Sequence, residues 1–482
     1  MIKYVFLLVG LLVAQFSFSQ KYDIKVKLNG LTCDDVLLLA NHFGDKQYLR
    51  DTAECENGVF HFRGDKRLES GVYLVVLPQK NYFEILVSAN EDQTKYYFEA
   101  DTSLKQEKMI AKGSEENKEF FEFNRFAGEQ GVLAFKLQDE GKDEKTSEKR
   151  KEEIRTQLTQ MSKDVAAKRA AITKAQPTLF ISKLYRAMTD IEVPEAPSEM
   201  DKSEGQKFQY LWIQEHYWDN VDMSEDGIVR SPVFHNKIKT YFDEYVPPIP
   251  DTAILLTDRL IKQIEQAGSK EQFKYSIHFL LGYFEKSKYM CFDKAVYHLA
   301  KNYYCAGKAF WSDSAFTAKM CEESAKMEPT LCDKIAPDMS MPDSTMNKRI
   351  VMSEISTPVT VLIFWDINCG HCKKEMPIVS AYYDSINKEH VEIYAVYTQG
   401  DWAGWKQRLK EEKYNFINVA NAFGEDEFRD EYNIRSTPQI YVLDKDKKIR
   451  FKKIGADNIA DTVKFLLEEQ GIIKKEEKEE EK

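Results

Sequence analysis

The sequence predicts three successive folds: an all-β, sandwich-like domain over 20–112, a mostly α-helical domain over 113–335 and an α/β domain over 336–472. Three patterns carry that reading. Early in the chain, short runs alternate apolar and polar residues between turn signals. The middle repeats its apolar residues at helical spacing within charged sequence. Towards the C-terminus, strand and helix patterns alternate, as they do where helices cover a sheet.

In the first domain, alternation marks residues 22–28, 36–39, 59–62 and 72–77 as strands. Asn29-Gly30, Asn57-Gly58 and Gly64-Asp65 separate them. An Asn-Gly step tolerates the left-handed backbone of a tight hairpin, so Asn57-Gly58 is the firmest of these turns. The helical domain opens at Ser114, a residue whose hydroxyl can cap a helix, with Glu115 and Glu116 favourable beside the positive end of the dipole. Phe120, Phe121, Phe123 and Phe126 form a stripe that reads as core. Residues 142–174 are charged, with apolar Ile154, Leu158, Met161 and Val165 widely spaced, as in a solvated long helix or helical hairpin. Further helices are expected at 205–217, 251–267, 271–286, 293–308 and 314–326; Pro247, Pro248 and Pro250 break the chain before Asp251, which can cap. The aromatic stretch 208–218, with Trp212, Tyr217 and Trp218, reads as core, with a peptide groove as the alternative. His216, His235, His278 and His298 are isolated and are assigned to no metal. The α/β part reads as strand 359–365, helix 369–388, strand 391–397, helix 402–412, strands 439–444 and 448–454, and helix 457–469.

The composition, 43% apolar and 30% charged with a net charge of −11, is that of globular domains. No basic patch interleaved with aromatics appears, which argues against nucleic acid as a partner. Lys3, the apolar run 5–18 and small residues Ser17 and Ser19 predict a signal peptide over 1–19, with an uncleaved anchor as the alternative. The nearest following cysteine is Cys33, too far for a lipid anchor. Export to the periplasm or cell envelope is therefore expected, and eight cysteines suit an oxidising compartment. Cys33 and Cys55 share the first domain; Cys291, Cys305, Cys321 and Cys332 share the second. Sequence leaves their pairing open, and buried free thiols are the alternative. The tail 473–482, almost wholly Lys and Glu, is expected to be disordered.

The chemistry is concentrated in Phe364-Trp365-Asp366-Ile367-Asn368-Cys369-Gly370-His371-Cys372. A buried strand runs into a turn, and two cysteines open a helix. The positive end of a helix favours a thiolate at the first cysteine, and the two-residue spacer lets the second sulfur reach it. Such a pair can cycle between dithiol and disulfide. A zinc site needs four ligands, and no second Cys-x-x-Cys exists. An inert disulfide remains an alternative. A lone peroxidatic cysteine would want a threonine three residues upstream, where Asp366 stands.

Further motifs extend the case: Ala336-Pro337-Asp338, Lys373-Lys374-Glu375-Met376-Pro377, and Thr437-Pro438-Gln439 followed by Ile440-Tyr441-Val442-Leu443-Asp444. Over roughly 335–470 the chain resembles the thioredoxin superfamily, and within it the TlpA/ResA-like thiol–disulfide oxidoreductases of Bacteroidetes type. Residues 20–112 are similar to a domain of unknown function that precedes such domains, through the strand pattern and Val59-Phe60-His61-Phe62-Arg63-Gly64. The Gly370-His371 spacer is that of protein disulfide isomerases, and Ile363 replaces the buried aspartate of thioredoxins. The resemblance implies an α/β thioredoxin fold and a catalytic set of Cys369, Cys372, His371 and Glu375. Cys369 would attack and Cys372 resolve; His371 would favour the thiolate and Glu375 tune the thiols. Trp365, Gly370, Thr437 and Pro438 would meet substrate, with Pro438 cis. No cofactor or metal is implied. The implied partners are protein thiols and disulfides, together with a membrane or periplasmic redox partner. The resemblance points to reduction and the spacer to oxidation or isomerisation. A non-catalytic cell-envelope scaffold with a redox-sensing domain is the alternative; substrate and oligomeric state stay open.

Overall fold

The computed structural model describes residues 21–424 and 427–474. The expected leader at 1–19 and the charged sequence beyond 474 lie outside them. The chain divides into two compact units, one reaching to 246 and including 261–275, the other comprising 247–260 and the chain from 276 onward.

The first unit begins with nine strands: β1 (Tyr22–Asn29), β2 (Leu38–Phe43), β3 (Lys46–Thr52), β4 (Glu54–Glu56), β5 (Val59–Gly64), β6 (Gly71–Val76), β7 (Tyr82–Val87), β8 (Tyr97–Asp101) and β9 (Ile110–Lys112). They form a five-stranded sheet in the order β4-β5-β1-β8-β9 and a four-stranded sheet in the order β3-β2-β6-β7. Strand β1 shows why alternation was readable. Ile24, Val26 and Leu28 are buried while Asp23, Lys25 and Lys27 face outward. It pairs antiparallel with β5 and parallel with β8. Central β6 is apolar almost throughout because neighbours flank both its edges. A disulfide joins Cys33 to Cys55.

Helix α1 (Glu115–Lys142) starts where expected, with the Ser114 side chain accepting from the Asn117 N–H. Asn117 then bonds the Leu86 backbone twice, accepting from its N–H at 2.8 Å and donating to its carbonyl at 2.7 Å. That pair of bonds docks the helix start on β7. The charged stretch is a second helix, α2 (Glu148–Ala175), which buries only Ile154 and Ile172. Helices α3 (Phe180–Ala187), α4 (Lys202–His216) and α5 (Pro232–Thr240) follow. The aromatic stretch is core at Trp218, which packs against Tyr217, Phe234 and Tyr241. Helices α6 (Pro250–Ala267) and α7 (Lys270–Glu285) each contribute to both units.

In the second unit, α8 (Asp293–Leu299) and α9 (Ser314–Met327) precede a sheet with helices. Disulfides join Cys291 to Cys332 and Cys305 to Cys321. A small hairpin, β10 (Ser340–Pro342) with β11 (Arg349–Val351), leads into β12 (Val359–Trp365), α10 (Gly370–Ser385), β13 (Val391–Tyr397), α11 (Trp402–Glu412), β14 (Ile417–Ala420), α12 (Phe428–Glu431), β15 (Gln439–Leu443), β16 (Ile449–Lys452) and α13 (Ile459–Glu469). The sheet order is β14-β13-β12-β15-β16, with β12, β13 and β14 parallel and β15 antiparallel to β12. Every residue of β12 is buried, because side chains of both faces enter apolar clusters. Val361, Ile363 and Trp365 enter one; Leu362 and Phe364 enter the other.

Ile363 lies in the middle of that strand at 0% exposure. Ile363→Ala should lower the stability of the second unit by about 2–5 kcal/mol through lost transfer energy and the cavity left behind. Urea unfolding followed by tryptophan fluorescence measures this; a loss well under about 1 kcal/mol would show that β12 does not organise the core.

Candidate functional site

The site forms where β12 stops. The Trp365 carbonyl accepts from the Thr398 N–H at 3.0 Å and from its hydroxyl at 3.1 Å, which pins the strand end. Asp366 then turns the chain: its Oδ1 accepts from the Asn368 N–H at 2.9 Å and its carbonyl from the Cys369 N–H at 3.2 Å. An aspartate does this readily because its short carboxylate reaches the backbone two residues on. The turn delivers Cys369 to the N-cap of α10, where its sulfur accepts from the Cys372 N–H at 3.3 Å.

The two sulfurs, both free thiols, differ in surroundings. Cys369 is half-buried and donates to the Thr437 carbonyl at 3.1 Å. Partial burial alone would raise its pKa. Hydrogen bonds with the Cys372 backbone and thiol, the Thr437 side chain and the His371 backbone outweigh that and hold the Cys369 thiol below the ordinary cysteine range. Cys372 is buried at 1% exposure, and burial pushes its thiol up to about 12. Cys372, Met376, Val379 and Tyr383 are the core-facing stripe of α10.

The remaining expected residues surround this pair unevenly. Thr437 and Pro438 stand beside Cys369, and their peptide bond is cis. Gly370 is exposed, and a Cβ added to it would meet nothing within 4 Å, so glycine leaves the surface beside the sulfur clear. The His371 ring is exposed, and its part in lowering Cys369 comes from its backbone. Glu375 points along α10 to the Ala456 N–H, from which its Oε2 accepts at 3.2 Å. Trp365 is 2% exposed, so its ring is core, packed edge-on to Tyr397 and Tyr414. That placement suits a wall behind the pair better than a surface for substrate.

Sequence reading missed Asp366 as the turn-former and missed the segment Ile454-Gly455-Ala456, which packs against the cluster containing Cys372. A glycine directly after a strand and before a helix was the available signal for the latter. Among the described residues, no group of three His, Cys, Asp or Glu side chains is placed to hold a metal ion.

Comparison with known proteins matches three stretches of the chain. Residues 332–452 match the AhpC/TSA family, 142–324 a domain of unknown function (DUF5106) and 22–120 another (DUF4369). The chain is 28% identical over 123 residues to sporulation thiol-disulfide oxidoreductase A of Bacillus subtilis, covering 24% of this chain and 73% of that protein. Among solved structures, a domain of a possible thiol-disulfide isomerase from Cytophaga hutchinsonii is 29% identical, covers 30% of this chain and 99% of its own, and has a TM-score of 0.28. A thioredoxin-like protein from Bacteroides caccae is 16% identical, covers 57% of this chain and 99% of its own, and has a TM-score of 0.43. The C-terminal part of this chain is a thioredoxin-like α/β domain similar to that of thiol–disulfide oxidoreductases.

The asymmetry of the sulfurs has a direct readout. A lowered pKa leaves Cys369 deprotonated at pH values where an ordinary cysteine, near pKa ~8.5, is still protonated. Iodoacetamide labelling of the reduced protein, followed by peptide mapping across pH, should show Cys369 reacting with a midpoint below ~8.5 and Cys372 protected throughout the neutral range. Equal labelling of both would contradict the assignment.

Proposed function

We propose that the protein is an exported thiol–disulfide oxidoreductase that exchanges disulfides with protein substrates through Cys369 and Cys372. The observation that carries this reading is the contrast between a half-buried thiol of lowered pKa at a helix start and a buried thiol pushed up to about 12 three residues on. In the reducing direction, the Cys369 thiolate attacks one sulfur of a substrate disulfide. A Cys369–substrate bond forms, the substrate S–S bond breaks, and its other sulfur leaves as a thiolate. That thiolate is a ready acceptor for the Cys372 proton. Deprotonated Cys372 then attacks Cys369, releasing the second substrate sulfur as a thiolate that takes a proton from water. The substrate gains two electrons and the protein gains a Cys369–Cys372 disulfide. Oxidation of a dithiol is the same sequence reversed.

Three further features support the reading. Gly370 leaves open surface beside Cys369, and Thr437 offers backbone at the sulfur. The three disulfides elsewhere suit an oxidising compartment, in keeping with the leader expected at 1–19. A redox partner in the membrane or periplasm would return Cys369 and Cys372 to their working state. A thiolate favoured in the reduced protein stabilises that form, which makes the couple more oxidising.

Cys372→Ala should accumulate mixed disulfides between Cys369 and partner proteins, because attack proceeds and resolution does not; Cys369→Ala should trap none. Non-reducing gels after acid quenching distinguish them, and equal trapping by both variants would refute the roles. His371→Pro removes the backbone N–H that helps lower the Cys369 thiol, so it should make the couple more reducing by tens of millivolts, 30 mV being about 1.4 kcal/mol. A potential unchanged in glutathione redox buffers would remove His371 from the site.

A further inference from the structure

The second unit contains a cleft that the exchange chemistry does not use. It has a volume of about 960 Å³ and lies between the α7–α9 helices and the turn that joins β16 to α13. Its helical wall is apolar and rich in sulfur: Phe284, Met290, Phe316, Met320 and Met327 all line it. Tyr289 and Phe316 are 57% and 48% exposed there, an unusual outlay for large apolar side chains. The opposite wall includes Ile454 and Gly455, with Lys453, Asn458 and Thr462 beside them.

That wall also belongs to the redox site. Ile454 packs, as Cys369 does, against the cluster containing Cys372. Ala456, two residues on, donates its N–H to Glu375 of α10. On the helical side, Glu323 lines the cleft and pairs with Arg435, two residues before Thr437. Both walls thus run directly into segments that flank Cys369. The cleft is also built rather than incidental. Lys452 is 6% exposed and reaches across to Asp293 at the start of α8, donating as well to the Thr330 carbonyl at 2.6 Å. The Lys452 N–H donates to the Met290 sulfur at 3.3 Å, and the Cys291–Cys332 disulfide closes the same corner.

We propose that this cleft binds an extended, apolar segment of the substrate polypeptide, with acidic residues at its flank, and so presents a nearby substrate disulfide to Cys369. This rests on the exchange reaction proposed above and adds its selectivity. Continuity with the redox site, through Ile454 on one wall and the Glu323–Arg435 pair on the other, argues for a segment of the same substrate. Methionines are unbranched and polarisable, so a wall containing three of them accommodates varied apolar side chains rather than one shape. Asp293 is paired with Lys452 and Glu323 with Arg435, which leaves Lys288, Lys319 and Lys453 against Glu285 on the exposed lining. That excess of positive charge favours acidic flanks.

The test uses the reduced full-length protein and two synthetic peptides, each with one cysteine held as a chromogenic mixed disulfide. One carries Leu and Phe a few residues from the cysteine with flanking Glu; in the other, Ser replaces Leu and Phe. Cystine gauges the chemistry alone. The apolar peptide should react about tenfold faster or more, the range a few apolar contacts supply in a pocket. Phe316→Asp should bring the ratio of the two peptide rates close to one, and Tyr289→Ser, on the exposed rim, should lower it if the first variant does not fold. Equal peptide rates in the unsubstituted protein, or a ratio that neither variant changes, would overturn the proposal. So would dodecanoate competing as strongly as an apolar peptide lacking cysteine, which would make the cleft a lipid site. Loss of exchange with cystine as well would instead overturn the underlying reaction.

Discussion

The junction of the most buried strand with a helix start governs the candidate site. Strand β12 is buried on both faces, so its end at Trp365 has little freedom, and the Asp366 turn transmits that fixity to Cys369. A cysteine is a weak acceptor at an N-cap, where Ser, Thr, Asp or Asn usually stands, and such exchanges cost on the order of 1 kcal/mol. The fold tolerates the weak cap because sheet packing, rather than the cap, holds the helix in place. As a thiolate, the same sulfur becomes a charged acceptor aimed at free N–H groups, and the interaction turns favourable. The helix start therefore biases the chemistry through the protonation state it prefers.

Much of this was legible because the signals were local. The seven buried residues of β12, six of them apolar, the cysteine spacing and the cap at Ser114 each depend on a few consecutive side chains. What escaped the sequence depends on distant partners. Strand β14 has four residues and exists because β13 offers it an edge; the pattern of Ile417–Ala420 alone predicts no strand. The parallel pairing of β1 with β8 brings together segments about seventy residues apart, and no turn signal marks such a register. The same holds for Cys291 with Cys332 and Cys305 with Cys321, which composition could place in one domain but not connect. Trp365 illustrates a different limit. The resemblance implied substrate contact, whereas β12 is covered on both faces and the Trp365 ring lies in the core.

Lys452 shows how the helices before the sheet are tied to it. Burying an ammonium is costly, and burial pulls its pKa below the usual lysine range even though Asp293 opposes this. A buried pair of this kind is weak evidence for stability, since an apolar pair of similar size often does as well. What it does supply is position. The ammonium has three donors, and Asp293 and the Thr330 carbonyl fix where α8 begins relative to β16. The cleft described above takes its shape from that attachment.

The order of attack and resolution also follows from helix geometry rather than from the spacer. Positions 372, 376, 379 and 383 repeat at the helical interval and face the core. Cys372 must therefore be shielded whenever Met376, Val379 and Tyr383 pack as they do. Cys369 precedes the first turn, lies outside that stripe and meets solvent. Exchanging Gly370 or His371 would alter the charge and shape near the exposed sulfur without turning α10, because neither side chain contributes to the stripe. The spacer can thus adjust how strongly the couple oxidises, while the face of the helix decides which sulfur moves first.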